Sequence, residues 1–261
     1  MSVLLMRKFM NTSVLMGVAM FVPFCCAVGC LAAGNEELQT KKSKTIVVFG
    51  DSTTATRGKL EIYANLLARE LPAKGIPVEI INAGIGGNNT QMAAARFEKD
   101  VLEKNPDMVV IQFGINDSAI DVWKNPPETE PRVSKGKYMQ NLEKIIETLK
   151  SRKCGVILMT PNQLCWTQKL KETYGKPPYD ANDPDGFNIT LREYAQAVRQ
   201  LAEKQKVPLV DIYTAYSAYG KVENQSINDL LLDGMHPNDK GQRLVADLLI
   251  EEIVKLNEAN K

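Results

Sequence analysis

A single histidine, His236, is all the imidazole this 261-residue chain possesses. That excludes zinc sites built on several histidines and the paired-histidine H-E-x-x-H protease motif. Charge of one sign is equally scarce: 32 lysines and arginines stand against 31 acidic residues, a formal charge of +1. No domain-wide basic field exists to hold a phosphate backbone, so nucleic acid is not an expected partner. Of five cysteines, Cys25, Cys26 and Cys30 lie within the first thirty residues. The body keeps Cys154 and Cys165, too few for a disulfide framework to carry the fold. Cys154 reads as the start of a buried strand and Cys165 as loop, and their pairing is left open. With 44% hydrophobic and 24% charged residues, the composition excludes a disordered chain, a collagen and a coiled coil, and suffices for one sizeable core.

Long uncharged stretches are few, and the clearest runs from Val14 to Ala33, after Arg7 and Lys8 and before the first acidic residue, Glu36. A basic n-region, an apolar h-region and small residues at its end form a secretory signal pattern over residues 1–33. Two processing routes stand side by side: Ala27-Val28-Gly29-Cys30 resembles a lipobox that would lipidate Cys30, and Leu31-Ala32-Ala33 suits ordinary cleavage after Ala33. An uncleaved anchor is the third, opposed by Pro23 and the small-residue end. The expected destination is outside the cytoplasm: periplasmic, extracellular or lipid-anchored at the cell surface, with no other membrane contact. Residues 34–44 are polar and Lys-rich and read as a tether. Residues 45–261 read as one domain.

From Thr45 onward, short β-branched runs alternate with longer amphipathic ones. Ile46-Val47-Val48-Phe49, Val78-Glu79-Ile80-Ile81, Met108-Val109-Val110-Ile111, Val156-Ile157-Leu158-Met159 and Pro208-Leu209-Val210 mostly lack polar alternation, as strands buried on both faces do. Helical spacing is clearest at Tyr138, Leu142, Ile145 and Leu149, and recurs near 60–71, 90–104, 189–206 and 239–256. Five strand-helix alternations predict a three-layer α/β/α sandwich around a parallel sheet. Two connections, Ser118 to Ser134 and Thr160 to Asn188, are longer than usual and follow strand carboxyl ends, where such sheets bind ligands.

Four short segments carry the chemistry. Gly50-Asp51-Ser52 follows the first strand, so Ser52 is expected at a strand-to-helix turn, its hydroxyl exposed and its N–H near a helix end. An N-cap serine or a phosphate-cradling turn is the plainer alternative. Asp233-Gly234-Met235-His236-Pro237 places a carboxylate three residues ahead of the imidazole in a turn, where it can hold one ring nitrogen and leave the other free. Asn82-Ala83-Gly84-Ile85-Gly86-Gly87-Asn88 and Gly114-Ile115-Asn116-Asp117 follow strands two and three. They bring the Gly87 N–H and the Asn116 amide to the same sheet edge, as donors for an oxyanion. The glycine string lacks the spacing of a dinucleotide fingerprint.

Together, and in this order, these segments resemble the conserved blocks of the SGNH (GDSL-type) hydrolases, a resemblance spanning Thr45 to about Leu256. It implies a flavodoxin-like sheet of five parallel strands and a Ser-His-Asp carboxylic ester hydrolase without metal or cofactor. It assigns Ser52 as nucleophile, His236 as general base, Asp233 as its orienter, and Ser52, Gly87 and Asn116 as oxyanion donors. Activity is expected to fall once the imidazole is protonated.

The blocks do not choose the ester. Trp123, Trp166, Tyr174 and Tyr179 fall in the two long connections, where aromatic faces suit stacking on pyranose rings; their alternative role is packing those loops onto the domain. Export and the Gly50-Asp51-Ser52-Thr53-Thr54 block resemble the extracellular carbohydrate acetylesterases of the family, and the expected partner is an acetylated saccharide. A lipase, lysophospholipase or thioesterase for longer chains is the alternative, with a non-catalytic surface binding module or acyl transfer to a sugar behind it. Asp180-Ala181-Asn182-Asp183-Pro184-Asp185-Gly186 fails the register of a calcium loop.

Overall fold

The computed structural model describes residues 43–259, all within one compact unit, Thr40–Lys261. The leader over residues 1–33, Cys30 and residues 34–42 of the tether lie outside the described residues, and Lys44, expected to end the tether, already belongs to the first strand. The strands are β1 (Lys44–Gly50), β2 (Val78–Gly84), β3 (Met108–Gln112), β4 (Gly155–Met159) and β5 (Leu209–Val210), all parallel in the order β2-β1-β3-β4-β5. The five-stranded α/β sheet anticipated from the sequence is the one present. Its register aligns the strand ends: Gly50 sits opposite Gly84 on one side and Gln112 on the other, and Gln112 opposite Met159. The turns after the strands therefore share one edge.

Period-two alternation explains the unbroken apolar runs. Val47 and Phe49 pack into a core with α2 (Thr90–Asp100), α4 (Lys135–Ser151) and α6 (Leu191–Gln205), whereas Ile46 and Val48 face α1 (Tyr63–Ala73), α7 (Ile212–Tyr219) and α8 (Asp239–Ala259). Three helices escape the sequence pattern. α3 (Ile115–Ser118) is one turn, α5 (Gln168–Tyr174) buries only Leu170, and α7 mixes tyrosine and alanine without a charged face. α3 and α5 offer no hydrophobic period to read, and the Ile212, Tyr216, Tyr219 spacing of α7 spans only two turns.

A third, smaller core lies beneath the two long connections: Ile120 and Val122 from the first and Leu164, Tyr179 and Phe187 from the second join Leu191 and Tyr213. Trp166 stacks on Phe187 with centroids 4.4 Å apart, and Tyr174 and Tyr179 crowd the same ring. The Tyr179 hydroxyl accepts the Ile120 N–H at 2.8 Å and ties one connection to the other. Cys154 and Cys165 are free thiols, and burial pushes both up to about 11, the range of inert structural cysteines.

Candidate active site

The turn after β1 leaves no room for a side chain at its first residue: a Cβ on Gly50 would stand 2.2 Å from Thr54 Oγ1. The chain then wraps so that Thr54 and Ala55 N–H groups donate to the Asp51 carbonyl. The Asp51 carboxylate, buried, accepts the Thr53 N–H at 2.9 Å and its hydroxyl at 2.8 Å. Burial raises the Asp51 pKa against the lowering effect of these bonds. From Thr53 the hydrogen bonding runs to Gln112 Oε1 at 3.0 Å, and the Gln112 amide donates to the Thr160 carbonyl at 3.1 Å. The carboxyl edges of β1, β3 and β4 are thus locked together beneath Ser52. One expectation is corrected here: no helix starts beside Ser52, since α1 begins only at Tyr63. A hydrogen-bonded turn, not the start of α1, holds the serine.

His236 arrives from the other end of the chain. Its Nε2 stands 3.0 Å from Ser52 Oγ, and its Nδ1 2.8 Å from Asp233 Oδ2 and 3.1 Å from Oδ1. Asp233 Oδ1 also accepts the backbone N–H groups of Met235 and His236, at 3.1 and 2.9 Å. Burial opposes the charge on Asp233, but these hydrogen bonds and the neighbouring imidazole outweigh it and hold the carboxyl below its ordinary range. The turn is closed by a Leu231–Pro237 bridge and by Leu232 N–H on the His236 carbonyl. It docks on the segment after β4, where the Cys165 N–H reaches the Gly234 carbonyl and the Asn162 amide the Met235 carbonyl.

Gly234 fixes that docking. Its φ of +83° suits glycine, and a Cβ there would lie 2.4 Å from the Cys165 carbonyl oxygen. Gly234→Ala is expected to displace the turn and lower kcat for ester hydrolysis by about 10²-fold, the usual consequence of roughly 1 Å of misplacement. A stability loss of about 1–3 kcal/mol should accompany it. Steady-state kinetics with a thermal melt would check both, and unchanged kcat would show that the turn does not depend on this contact.

Gly87 and Asn116 converge on the same edge. Gly87 adopts φ +77°, and among the described residues nothing accepts its N–H or that of Ser52. Asn116 sits on α3, whose neighbouring Asp117 anchors it: Asp117 Oδ1 accepts the Thr90 N–H at 2.8 Å and hydroxyl at 2.5 Å. Burial raises Asp117 to about 6 although the Thr90 bonds oppose the shift. The Asn116 amide donates to the Asn88 carbonyl at 3.0 Å, leaving its second hydrogen available.

Two arginines that the sequence reading passed over organise this edge. Arg96 donates to the Gly50 carbonyl at 2.9 Å, the Ala83 carbonyl at 2.8 Å and Asn88 Oδ1 at 2.7 Å, with its guanidinium 4.5 Å above the Phe49 ring. A charge on the helical face of Ala93 and Phe97 is the signal that would have found it. Arg132 reaches Asn116 from the first long connection, and no sequence pattern marks it.

A cavity of about 240 Å³ opens at Ser52, Gly87, Asn116 and His236, walled by Arg132, Tyr174, Tyr179 and Phe187 among others. Of the aromatic residues expected at the substrate, Tyr174 and Tyr179 line it. Trp123, half-exposed, and Trp166, whose indole N–H donates to the Asp180 and Asp183 carbonyls, do not. The Asp180–Gly186 carboxylates serve their own loop: Asp180 and Asp183 accept the Asn182 and Asp185 N–H groups, and Asp185 pairs with Arg192.

The sequence model of the GDSL-like lipase/acylhydrolase family matches residues 48–244. The chain is 31% identical over 245 residues to the uncharacterized lipoprotein YqeF of Bacillus subtilis (strain 168), covering 87% of this chain and 93% of that protein. It is 29% identical over 199 residues to an acetylxylan esterase of Geobacillus stearothermophilus, covering 75% and 80%. Among solved structures, the acetyl xylan esterase AlAXEase superposes with a TM-score of 0.62 at 30% identity, over 80% of this chain and 99% of that one.

Proposed function

The chain belongs to the GDSL-like lipase/acylhydrolase family and is a carboxylic ester hydrolase, and from that premise we propose that it is an exported serine esterase that removes O-acetyl groups from carbohydrates. The observation that carries the mechanism is the unbroken contact Ser52 Oγ to His236 Nε2 to Asp233, at 3.0 and 2.8 Å. Neutral His236 takes the Ser52 proton as Oγ attacks the ester carbonyl carbon. The oxyanion formed is met by the Ser52 and Gly87 N–H groups and the Asn116 amide. As the tetrahedral intermediate collapses, His236 passes its proton to the leaving alkoxide, and the alcohol departs. Water, deprotonated by the same imidazole, then attacks the acyl-enzyme and releases the acid.

The acetylated-saccharide reading draws on the cavity and on the relatives. At about 240 Å³ the space falls below the ~300–1,000 Å³ of sites for larger ligands. Of its aromatic walls, the partly exposed Tyr174 offers a ring to a sugar, while Tyr179 and Phe187 stand behind it in the third core. Two proteins that the chain resembles are named acetylxylan esterases. Export draws on the signal pattern of residues 1–33 and on the likeness to a lipoprotein. Among the described residues no helix is long and apolar enough to cross a membrane.

The test is a p-nitrophenyl ester series from acetate to decanoate on residues 34–261, with acetate release from acetylated xylooligosaccharides measured alongside. Highest kcat/KM at acetate, with release from the saccharide, is expected. A maximum at octanoate or decanoate would move the assignment to a lipase or thioesterase.

A further inference from the structure

Asn116 offers the oxyanion a side-chain amide, and such a donor works only if its nitrogen, not its oxygen, faces the reacting centre. Two contacts settle that orientation. Asn116 Nδ2 donates to the Asn88 carbonyl at 3.0 Å, and Asn116 Oδ1 accepts Nη1–H of Arg132 at 3.3 Å. A flipped amide would set its NH2 against the guanidinium and its oxygen against the Asn88 carbonyl, two repulsive contacts replacing two attractive ones. Arg132 is itself held. Its Nε and Nη2 donate to Asp121 Oδ1 at 3.0 and 2.7 Å, forming a two-limbed clamp on a buried carboxylate. Its own N–H closes the loop on the Ala119 carbonyl at 2.9 Å.

We propose that Arg132 is a positioning residue for catalysis: clamped by Asp121, it orients the Asn116 amide toward the oxyanion and, by placing positive charge on the amide oxygen, strengthens the N–H that the oxyanion receives. The inference rests on the reading of Asn116 as an oxyanion donor. Polarisation follows from the chemistry of hydrogen-bonded chains, in which a donor to the carbonyl makes the amide hydrogen a better donor in turn. The planar guanidinium is needed because three of its N–H groups serve two acceptors at once, which the point charge of lysine cannot reproduce. The first long connection, which also walls the cavity through Arg132, thereby acts on the reaction through Asn116.

The experiment measures kcat and KM for p-nitrophenyl acetate, with melting temperatures, in Arg132→Lys, Arg132→Met, Asn116→Ala and each arginine change combined with Asn116→Ala. Lysine keeps a charge beside Asp121, so Arg132→Lys serves as the folded variant if methionine, which leaves the buried Asp121 carboxylate with Lys124 at 3.3 Å as its remaining cation, makes the protein unstable. Expected is a fall in kcat of about 10- to 100-fold for either arginine change, the worth of one charge-assisted hydrogen bond, with KM within about two-fold. In the Asn116→Ala background the same changes should lower kcat by less than about two-fold. A loss expressed in KM, or one of equal size without the Asn116 amide, would overturn the proposal while leaving the oxyanion reading intact. No effect of Asn116→Ala on kcat would overturn both.

Discussion

His236→Ala is expected to lower kcat for p-nitrophenyl acetate by about 10⁶-fold, as is Ser52→Ala, and the double variant is expected to be no slower than either. The non-additivity follows from the geometry. Among the described residues Ser52 Oγ has one base within reach, His236 Nε2 at 3.0 Å, and the chain holds no second histidine to stand in. Without the imidazole, the hydroxyl attacks with its proton still attached; without the hydroxyl, the imidazole has no nucleophile to activate. Either loss removes the same step, so removing both removes nothing further. What is expected to persist is the proposed stabilisation by the Ser52 and Gly87 N–H groups and the Asn116 amide, worth about 10³–10⁴ over the reaction in water. The measurement is kcat of the three variants at one common pH. Multiplicative losses would show that the two side chains act in separate steps, against a nucleophile and its base.

The backbone of this site was legible in the sequence because its parts are local. Asp233 and His236 sit three residues apart, and each of the other blocks directly follows an apolar run that forms a strand, so sheet register brings them to one edge. Parallel strands buried on both faces also announce themselves by composition. The supporting residues were not legible, because their contacts are distant in sequence and spread over several acceptors. Arg96 touches the Gly50 carbonyl 46 positions away, and Gln242 on α8 joins the Thr53 carbonyl to the Tyr63 N–H across 189 and 179 positions. The tryptophans mislead for the opposite reason. Trp123 and Trp166 share the loops that border the cleft, but one faces solvent and the other packs on Phe187. Loop membership does not fix the direction of a side chain.

The helix expected after Ser52 failed on similar grounds. Strand-then-serine suggests a helix start, yet Asp51 turns its carboxylate inward to cap Thr53, and residues 53–62 separate Ser52 from Tyr63, where α1 begins. Burying that carboxylate works against its charge, and the hydrogen bonds from Thr53 offset part of this. The serine is positioned by a polar turn braced on Gln112 and Thr160, and its hydroxyl meets His236 Nε2 at 3.0 Å.

Asp233→Asn is expected to cut kcat by about 10⁴-fold with little change in KM or in melting temperature. Oδ1 of Asp233 accepts the Met235 and His236 backbone N–H groups at 3.1 and 2.9 Å, so an asparagine must leave its oxygen there. Its NH2 then takes the place of Oδ2, 2.8 Å from His236 Nδ1. A donor at that point demands an unprotonated Nδ1, which puts the ring hydrogen on Nε2, facing Ser52. That tautomer cannot accept the Ser52 proton. The turn keeps its backbone bonds and its shape, so the loss falls on proton transfer rather than on binding or folding. Asp233→Ala frees the ring to choose its tautomer while removing the acceptor, and should retain more activity than the isosteric amide at high pH. The comparison is made by kcat/KM against pH for the two variants. An asparagine variant as active as wild type would show that His236 is oriented by something other than this carboxylate.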